Sequence, residues 1–399
     1  MAGLNETPRG NRIHIAFFGL RNAGKSTLVN AFTGQQIAIV SDVPGTTTDP
    51  VSKAMEILPL GPCLVTDTAG LDDEGELGEK RVEKSLKVLE TVDIAVWVWL
   101  RRAAFGCLAS LGCEDCAPYR LVVEACAQKK VPLLEYCRGD SVEELKRKIA
   151  AVKLEERVPG LLDGLVKKGD RVLCVVPIDE SAPKGRLILP QQQVIRECLD
   201  KGLVVTVCQP SEVQGLKFKV QGSGFVLPYD LVITDSQAFG TVIQTLKLSN
   251  LQTFKLTSFS ILFARQKGDL QEFVKGLKAI GSLKDGDTVL IAEGCTHHRQ
   301  CNDIGTVKIP NALEKLSGRK LKFEFASGTS NIQTFEHSNI SLVVHCGGCM
   351  LTRREMLRRI AQAKEAGVPI VNYGLVLARA NGIDVQSPIP NPQSPIPNP

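Results

Sequence analysis

Three cysteines and two histidines in the C-terminal third have the types and spacing of metal ligands. Cys346 and Cys349 are separated by two glycines, so both sulfur atoms can reach one metal or one cluster edge while the backbone bends closely around it. Cys295 lies upstream as a third sulfur donor. Three thiolates leave the fourth iron of a [4Fe-4S] cube open to a weaker or exchangeable ligand, for which His297 and His345 are the nitrogen candidates.

Two predicted strands bring these pieces together. Residues 287–292 form an apolar strand that ends just before Cys295, and residues 340–344 form another that ends just before His345. Since parallel α/β sheets place their ligand sites at the carboxyl ends of strands, we expect both pieces at one edge of one sheet. Three cysteines and one histidine also form a structural zinc site, so zinc is the alternative to a cluster.

A phosphate-binding loop follows the first predicted strand, residues 13–18. Residues 19–27 read Gly-Leu-Arg-Asn-Ala-Gly-Lys-Ser-Thr, the pattern G-x-x-x-x-G-K-S, and a helix is expected after them. In this pattern backbone N–H groups surround the β-phosphate, Lys25 adds a positive charge over the phosphate oxygens and the Ser26 hydroxyl binds Mg²⁺. The predicted nucleotide-binding residues of the loop are Asn22, Ala23, Gly24, Lys25, Ser26 and Thr27.

Two further segments complete a nucleotide switch. Residues 42–49 form a threonine-rich loop, and a strand ends in the sequence Asp67-Thr-Ala-Gly70. The Asp67 carboxylate can reach Mg²⁺ through water, and the Gly70 N–H can sense a γ-phosphate. Together the motifs predict a GTPase rather than a generic ATPase. The predicted catalytic residues are Lys25, Thr47, Asp67 and Gly70.

The base-recognition loop departs from the usual Asn-Lys-x-Asp pattern. The best candidate is Cys137-Arg-Gly-Asp140, in which Asp140 can bind the guanine N–H groups and Arg138 can stack on the base, but Cys137 lacks the amide. Leu71 stands where a water-positioning glutamine would follow the switch glycine, which predicts slow hydrolysis. Guanine selectivity and rate are therefore open, and a degenerate, non-hydrolysing switch is an alternative.

Composition indicates a globular protein of several domains. The 399 residues are 43% hydrophobic and carry a net charge of +5, too dilute to indicate a nucleic-acid partner. The polar N-terminus lacks the apolar core of a secretory signal, and no apolar run is long enough for a membrane span, so we expect a cytoplasmic protein without membrane contact. Its thirteen cysteines then favour ligands and buried thiols over disulfides.

The order of predicted elements gives an α/β fold of three domains, in which a P-loop GTPase domain precedes two smaller parallel-sheet domains. The predicted boundaries are 1–160 for the GTPase domain, 161–265 for an α/β unit without its own catalytic pair, and 266–385 for the cluster-binding domain. Residues 386–399 repeat a proline-rich heptapeptide and are expected to be a disordered tail.

The GTPase motifs resemble those of the TrmE and Era group. The resemblance rests on the sequence Gly-Thr46-Thr47 and on Asp67-Thr-Ala-Gly70. It implies that Asn22 and Thr46 help hold a K⁺ ion beside the phosphates, in place of an arginine finger, and that Thr47 is the threonine that binds Mg²⁺.

From about residue 12 to residue 380, the chain resembles the HydF family, the GTPases that mature [FeFe]-hydrogenase. Beyond the phosphate loop, the most telling segments are residues 176–187, 256–265, 293–298 and 345–350. The family signature is Cys-x-His, a spacer of some fifty residues, then His-Cys-x-x-Cys. This chain meets it with Cys295, His297, His345, Cys346 and Cys349.

The resemblance implies what each domain does. The first would bind and hydrolyse GTP, the second would form a homodimer, and the third would hold a [4Fe-4S] cluster on the three cysteines. As scaffold and carrier, the protein would accept a two-iron precursor built by the radical-SAM maturases HydE and HydG and deliver it to the apo-hydrogenase HydA. The rival hypothesis is an RNA- or ribosome-associated GTPase with a structural zinc site, against which the missing basic nucleic-acid module argues.

Overall fold

The computed structural model describes residues 7, 9–34, 51–72, 76–100, 117–153, 159–178, 187–216, 218–220, 224–226, 228–247, 255–294, 303–328 and 339–383. Its contacts divide the chain into two compact units, Met1–Arg157 and Val158–Pro399. Four predicted site residues and the predicted tail, residues 386–399, lie outside the described residues. The four are Thr46, Thr47, Cys295 and His297.

The first unit is built on a five-stranded sheet. Its strands and α-helices are β1 (Ile13–Phe18), α1 (Lys25–Thr33), β2 (Val51–Ile57), β3 (Gly61–Asp67), α2 (Glu76–Val88), β4 (Ile94–Trp99), α3 (Ala117–Gln128), β5 (Leu133–Cys137) and α4 (Val142–Ala151). The strand order is β2-β3-β1-β4-β5, and β2 alone in this sheet pairs antiparallel to its neighbour. A 3-10 turn at Arg9–Asn11 precedes β1.

Helices cover both faces of this sheet. Along β1, Ile15 and Phe17 belong to the apolar cluster that includes side chains of α1 and α4, while Ala16 and Phe18 belong to the cluster that includes side chains of α2 and α3. Because successive strand residues point to opposite faces, burial on both faces requires an uninterrupted apolar run. That requirement explains why the sequence identified β1 directly.

The second unit contains two parallel sheets. Its first part contains β6 (Arg171–Val175), α5 (Leu189–Asp200), β7 (Val204–Cys208), β8 (Phe218–Val220), β9 (Gly224–Val226), β10 (Leu231–Thr234), α6 (Phe239–Lys247), β11 (Lys255–Ser258) and α7 (Phe259–Lys267). The rest contains α8 (Leu270–Ala279), β12 (Thr288–Glu293), α9 (Ile309–Ser317), β13 (Lys322–Ser327), β14 (Ile340–His345), α10 (Arg353–Glu365), β15 (Ile370–Asn372) and α11 (Tyr373–Ala380). Short 3-10 turns span Pro210–Leu216, Ser236–Ala238 and Ile280–Ser282, and a π turn spans Ile304–Lys308.

The strand orders are β11-β10-β6-β7 and β13-β12-β14-β15, with every pair in both sheets parallel. Strands β8 and β9 form a separate antiparallel hairpin. The predicted fold class, a P-loop domain followed by parallel-sheet α/β units, is confirmed. The exact domain boundaries stay a prediction. Among the described residues, no helix combines the length and the apolar character needed to cross a bilayer.

The sequence prediction omitted several elements of the second unit, among them β13 and α7. Strand β13 lies at a sheet edge, and Lys322 and Glu324 are exposed on it, so its sequence lacks the apolar run of a central strand. Helix α7 has the opposite character, because nearly every one of its residues is buried and it lacks a polar face. A helix without amphipathic periodicity is difficult to distinguish from a buried strand by pattern alone.

Close packing of α8 on β15 depends on Gly276. A Cβ atom at that position would lie 2.0 Å from the carbonyl oxygen of Ile370 and 2.4 Å from its carbonyl carbon. The backbone of β15 is paired with β14, so its atoms cannot move aside as a flexible side chain can. Helix and strand therefore approach closely only because residue 276 has no side chain.

We expect Gly276→Ala to destabilise the second unit by about 1–3 kcal/mol or more, the usual cost of overpacking a core. Gly281→Ala is the matched control, because a Cβ there meets no atom within 4 Å. Urea unfolding followed by circular dichroism measures both variants. A Gly276→Ala midpoint equal to that of Gly281→Ala would contradict the packing described here.

Candidate functional site

The phosphate loop lies between β1 and α1 and has the backbone of an anion-binding nest. Asn22 and Gly24 have φ values of 61° and 91°, in the left-handed region. Such residues turn successive N–H groups toward one side, where the N-terminus of a helix adds a further positive field. The Lys25 ammonium donates to the carbonyl oxygens of Gly19 and Leu20, at 3.1 and 2.8 Å, which holds it over the loop.

Ser26 and Asp67 form the predicted magnesium pair. The Ser26 hydroxyl donates to Asp67 Oδ2 at 2.6 Å. Asp67 is fully buried and its Oδ1 atom has no hydrogen-bond partner among the described residues, while burial raises the pKa of this carboxyl group. A buried carboxylate oxygen without a donor is a site that a hydrated cation satisfies. The two residues therefore fit Mg²⁺, bound by Ser26 and, through water, by Asp67.

The predicted switch glycine lies directly against the phosphate loop. A Cβ atom at Gly70 would lie 2.8 Å from the backbone nitrogen of Arg21. The next residue, Leu71, donates its N–H to the Gly19 carbonyl at 3.3 Å. Any larger residue at position 70 would push the segment after β3 away from the phosphate loop, so this contact requires glycine.

The divergent base-recognition loop still folds into an ordered turn after β5. Asp140 accepts a hydrogen bond from the Cys137 N–H at 3.2 Å, and its own N–H donates to the Cys137 carbonyl at 2.9 Å. Arg138 packs beside the phosphate loop, where its Cδ atom lies 3.8 Å from the position of a Cβ at Gly24. Cys137 itself is buried in the sheet and supplies no amide for a base.

The strands that lead to the two cysteine pieces end at one edge of the last sheet. Strands β12 and β14 pair in parallel, with Ala292 opposite His345, so both end at the same level. Beyond them the Gly294 N–H donates to Cys346 Sγ at 3.2 Å. Gly294 is the last described residue before Cys295, so the described part of this segment ends in contact with the sulfur atom of Cys346.

The surroundings of Cys346 and Cys349 suit thiolate ligands. A second N–H, from Gly348, donates to Cys346 Sγ at 3.4 Å. Burial raises the pKa of the Cys346 thiol to about 11 and raises that of Cys349 as well, so both are protonated thiols until a metal displaces the proton. Backbone N–H groups directed at sulfur are typical of iron–sulfur ligands. The residues present therefore fit the predicted group.

Glycine is required within the Cys-x-x-Cys turn. Gly348 has a φ of 65°, and a Cβ there would lie 2.4 Å from Met356 Cε. Gly294 is equally confined, because a Cβ would lie 2.6 Å from Leu351 Cγ. Both glycines donate the N–H groups that reach Cys346 Sγ, so the tight backbone and the sulfur contacts are parts of one arrangement.

Both ring nitrogens of His345, one of the two sequence candidates for the fourth ligand, are engaged by protein groups. Its side chain is completely buried, with Nε2 2.8 Å from Arg359 Nη1 and Nδ1 2.8 Å from the Cys346 carbonyl oxygen. An arginine only donates, so Nε2 accepts and Nδ1 carries the proton. Burial, followed by the Arg359 charge, lowers the pKa of His345 to about 3. Neither ring nitrogen is available to iron.

The ligand set as a whole is only partly within the described residues. Among these, no three His, Cys, Asp or Glu side chains form a metal-binding group. Cys295 and His297 fall outside them, so the third sulfur atom and the remaining nitrogen candidate stay predictions. Cys107, Cys113 and Cys116, three of the thirteen cysteines, also lie outside.

Sequence reasoning missed the two cations beside the cysteine loop. Arg359 is fully buried and joins His345 to Glu355, with its Nε 3.0 Å from Glu355 Oε1. Lys267 is equally buried and contacts carbonyl groups of the cysteine loop. The resemblance segment 256–265 ends two residues before Lys267. An apolar run that ends in Arg265 and Lys267 was the available signal.

Three family models match successive parts of the chain. Residues 14–111 match the model of a 50S ribosome-binding GTPase, residues 161–268 match the hydrogen maturase F dimerization domain, and residues 271–387 match the hydrogen maturase F tetramerization domain. The two maturase models together cover more than half of the chain. The chain belongs to the hydrogen maturase F family. This confirms the resemblance to the HydF family.

Membership of the maturase F family also defines the domains in sequence. A GTP-binding GTPase fold comes first, and two self-association domains follow it. The sequence analysis expected dimerisation from the second domain. It did not expect the third, with the cysteine loop, to match a tetramerization domain, because no sequence feature there distinguishes an assembly surface from a solvated one.

Curated relatives match the GTPase part. The tRNA modification GTPase MnmE of Methylobacterium sp. (strain 4-46) is 39% identical over 104 residues, which is 25% of this chain and 24% of that protein. GTPase Der of Xylella fastidiosa (strain M23) is 48% identical over 90 residues, which is 21% of this chain and 19% of that protein. The chain thus spans a quarter or less of the length of these relatives.

Solved structures give a weaker likeness. A crystal structure of Era from Aquifex aeolicus, bound to GDP and AlF4⁻, is 16% identical and matches 49% of this chain and 92% of that chain, with a TM-score of 0.24. A TM-score this low adds no weight to the fold, which rests on the strand order and the family models.

The position of Asp140 in this turn allows a test of whether its carboxylate binds the guanine base. We expect Asp140→Ala to weaken GTP binding roughly 10- to 100-fold, the effect of losing hydrogen bonds to a charged group, and to leave ATP binding unchanged. Fluorescent GTP and ATP analogues measure both affinities. Glu143→Ala removes an exposed carboxylate that is paired with Lys146 and is the control. Equal losses for GTP and ATP would show that Asp140 does not read the base.

Proposed function

We propose that the chain is a scaffold and carrier in [FeFe]-hydrogenase maturation. In this proposal Cys295, Cys346 and Cys349 hold a [4Fe-4S] cluster whose fourth position is exchangeable, with His297 as the remaining candidate from the sequence. That open position would accept a two-iron precursor from the radical-SAM maturases HydE and HydG. The apo-hydrogenase HydA would then receive it.

The observation that carries the proposal is the contact between the Gly294 N–H and Cys346 Sγ, at 3.2 Å. It supports the convergence of the two parts of the signature, because the residue that precedes Cys295 contacts Cys346 at the carboxyl edge of one parallel sheet. The bound cluster would supply iron with a replaceable ligand. The chain's own residues provide soft sulfur donors, N–H groups that stabilise thiolates and a turn small enough to approach an inorganic core.

The GTPase domain is proposed to act as a switch on this carrier. Lys25, with the Mg²⁺ held by Ser26 and Thr47, would bind the phosphates of GTP, and Asn22 and Thr46 would hold K⁺ beside them. Loss of the γ-phosphate releases the switch segments in GTPases of this type. We infer slow hydrolysis, since Leu71 replaces the water-positioning glutamine.

Self-association is part of the same proposal. The dimerization and tetramerization matches support a protein that assembles with its own copies. A homodimer built through residues 161–268 would present two cysteine sites together to one hydrogenase or to one maturase.

Metal analysis after anaerobic reconstitution tests the cluster. We expect iron and sulfide in equal amounts, about four of each per chain, and a low-temperature EPR signal after reduction. We expect Cys346→Ala to lose most of the iron and the signal, because one of three sulfur ligands is missing. Cys208→Ala removes a buried thiol from β7 of the same unit and is expected to keep both.

Two results would contradict the cluster proposal. Stoichiometric zinc with no reducible iron would favour the rival, a GTPase with a structural zinc site. Equal iron in the Cys346→Ala variant and in the unchanged chain would place the cluster on other residues.

The nucleotide site is expected to be separable from the cluster. Lys25→Ala should lower GTP hydrolysis at least ~100-fold, the usual effect of removing a group that stabilises transition-state charge, while the cluster EPR signal stays unchanged. Lys153→Ala, an exposed lysine in the same unit, is the control. Hydrolysis by the unchanged chain should be faster in potassium than in sodium buffer. Loss of the EPR signal in Lys25→Ala would show that the cluster depends on the nucleotide site.

A further inference from the structure

Helix α7 ends in a lysine that is buried against the cysteine loop. Lys267 is 1% exposed, and its ammonium group lies 5.4 Å from the centre of the Phe263 ring. The helix belongs to the segment that matches the dimerization domain, while the loop belongs to the segment that matches the tetramerization domain. The lysine therefore connects the two assembly domains within the second unit.

Three carbonyl groups of the loop accept hydrogen bonds from the ammonium group. Lys267 Nζ lies 3.3 Å from the Gly348 oxygen, 2.9 Å from the Cys349 oxygen and 2.6 Å from the Leu351 oxygen. An ammonium group has three N–H donors, so these three acceptors match its full capacity. One side chain thus fixes the backbone on both sides of Cys349.

The positive charge of Lys267 has no carboxylate partner among the described residues. Burial lowers the pKa of Lys267 to about 8, which leaves the ammonium group mostly charged at neutral pH, and the ionisable groups that act on it are the thiols of Cys349 and Cys346. Burying a cation without an anion costs free energy, which carbonyl dipoles and the C-terminal end of α7 offset only in part. Thiolates at positions 346 and 349 would supply the missing negative charge.

We propose that Lys267 is a positioning residue for the cluster: it fixes the loop at Gly348–Leu351 through three carbonyl groups and places one positive charge beside the thiolates of Cys346 and Cys349. This inference rests on the proposed cluster function. It gives the dimerization segment a direct role at the metal site, because Cys349 also packs against the apolar cluster that contains Phe263.

The charge has a consequence for electron uptake. Reduction adds a negative charge to the group held by the thiolates, and a nearby cation favours that addition. Removing the cation disfavours reduction and lowers the reduction potential. A residue that only filled space would leave the potential unchanged.

The test compares Lys267→Met, which keeps the length of the side chain without the charge, with Lys278→Met, an exposed lysine of α8. Redox titration of the reconstituted chain with dithionite, followed by EPR, measures the potential. We expect Lys267→Met to lower the equilibrium constant for one-electron reduction at least tenfold, a shift of about 59 mV to more negative potential. Lys278→Met should match the unchanged chain.

Hydrogen exchange of the iron-free chain measures the anchoring independently of the cluster. Amides of residues 346–352 should exchange faster in Lys267→Met than in Lys278→Met, because three carbonyl groups lose their donor. Lys267→Gln keeps an N–H donor without the charge. If thermal melting shows that Lys267→Met does not fold, the potential of Lys267→Gln is measured in its place.

An unchanged potential in a folded neutral variant would overturn the proposal, even if loop exchange increases. If the unchanged chain forms no reducible cluster, the proposed function fails, and the exchange result still decides whether Lys267 anchors the loop.

Discussion

The parallel pairing of β12 with β14 is the constraint on which the cysteine site depends. With Ala292 opposite His345, both strands end at one level and their following residues leave the sheet together. A shift of one strand by one residue would turn its side chains to the opposite face and would separate the two strand ends. The Gly294 N–H reaches Cys346 Sγ because of it.

The polar groups around the loop would stabilise a negative charge on the cysteine sulfur atoms. Two N–H groups point at Cys346 Sγ, and one buried ammonium group lies behind the loop. His345, held neutral by burial and by Arg359, donates to the Cys346 carbonyl. Buried cations and donors without a full set of anionic partners are unfavourable, and thiolates at the two cysteines would supply negative charge beside them.

The sequence predicted the parts of this arrangement that follow from the pattern of apolar residues. It did not predict the parts that depend on which polar side chains are buried. Strands β1, β12 and β14 are apolar runs that end at chemically distinctive residues, so both their type and their common edge could be inferred. Helix α7 lacks a polar face, and Lys267 at its end is read as a surface lysine until its surroundings are known. The engagement of both nitrogens of His345 likewise depends on Arg359, which is remote in sequence.

Iron anomalous diffraction from crystals of the anaerobically reconstituted chain would show which residues hold the metal. We expect one four-iron group bonded to the sulfur atoms of Cys295, Cys346 and Cys349, with no protein sulfur on the fourth iron and with His345 still hydrogen-bonded to Arg359. A single zinc ion at these sulfur atoms would contradict it. Iron bound at other cysteines, with Cys295 turned away from Cys346, would contradict it as well.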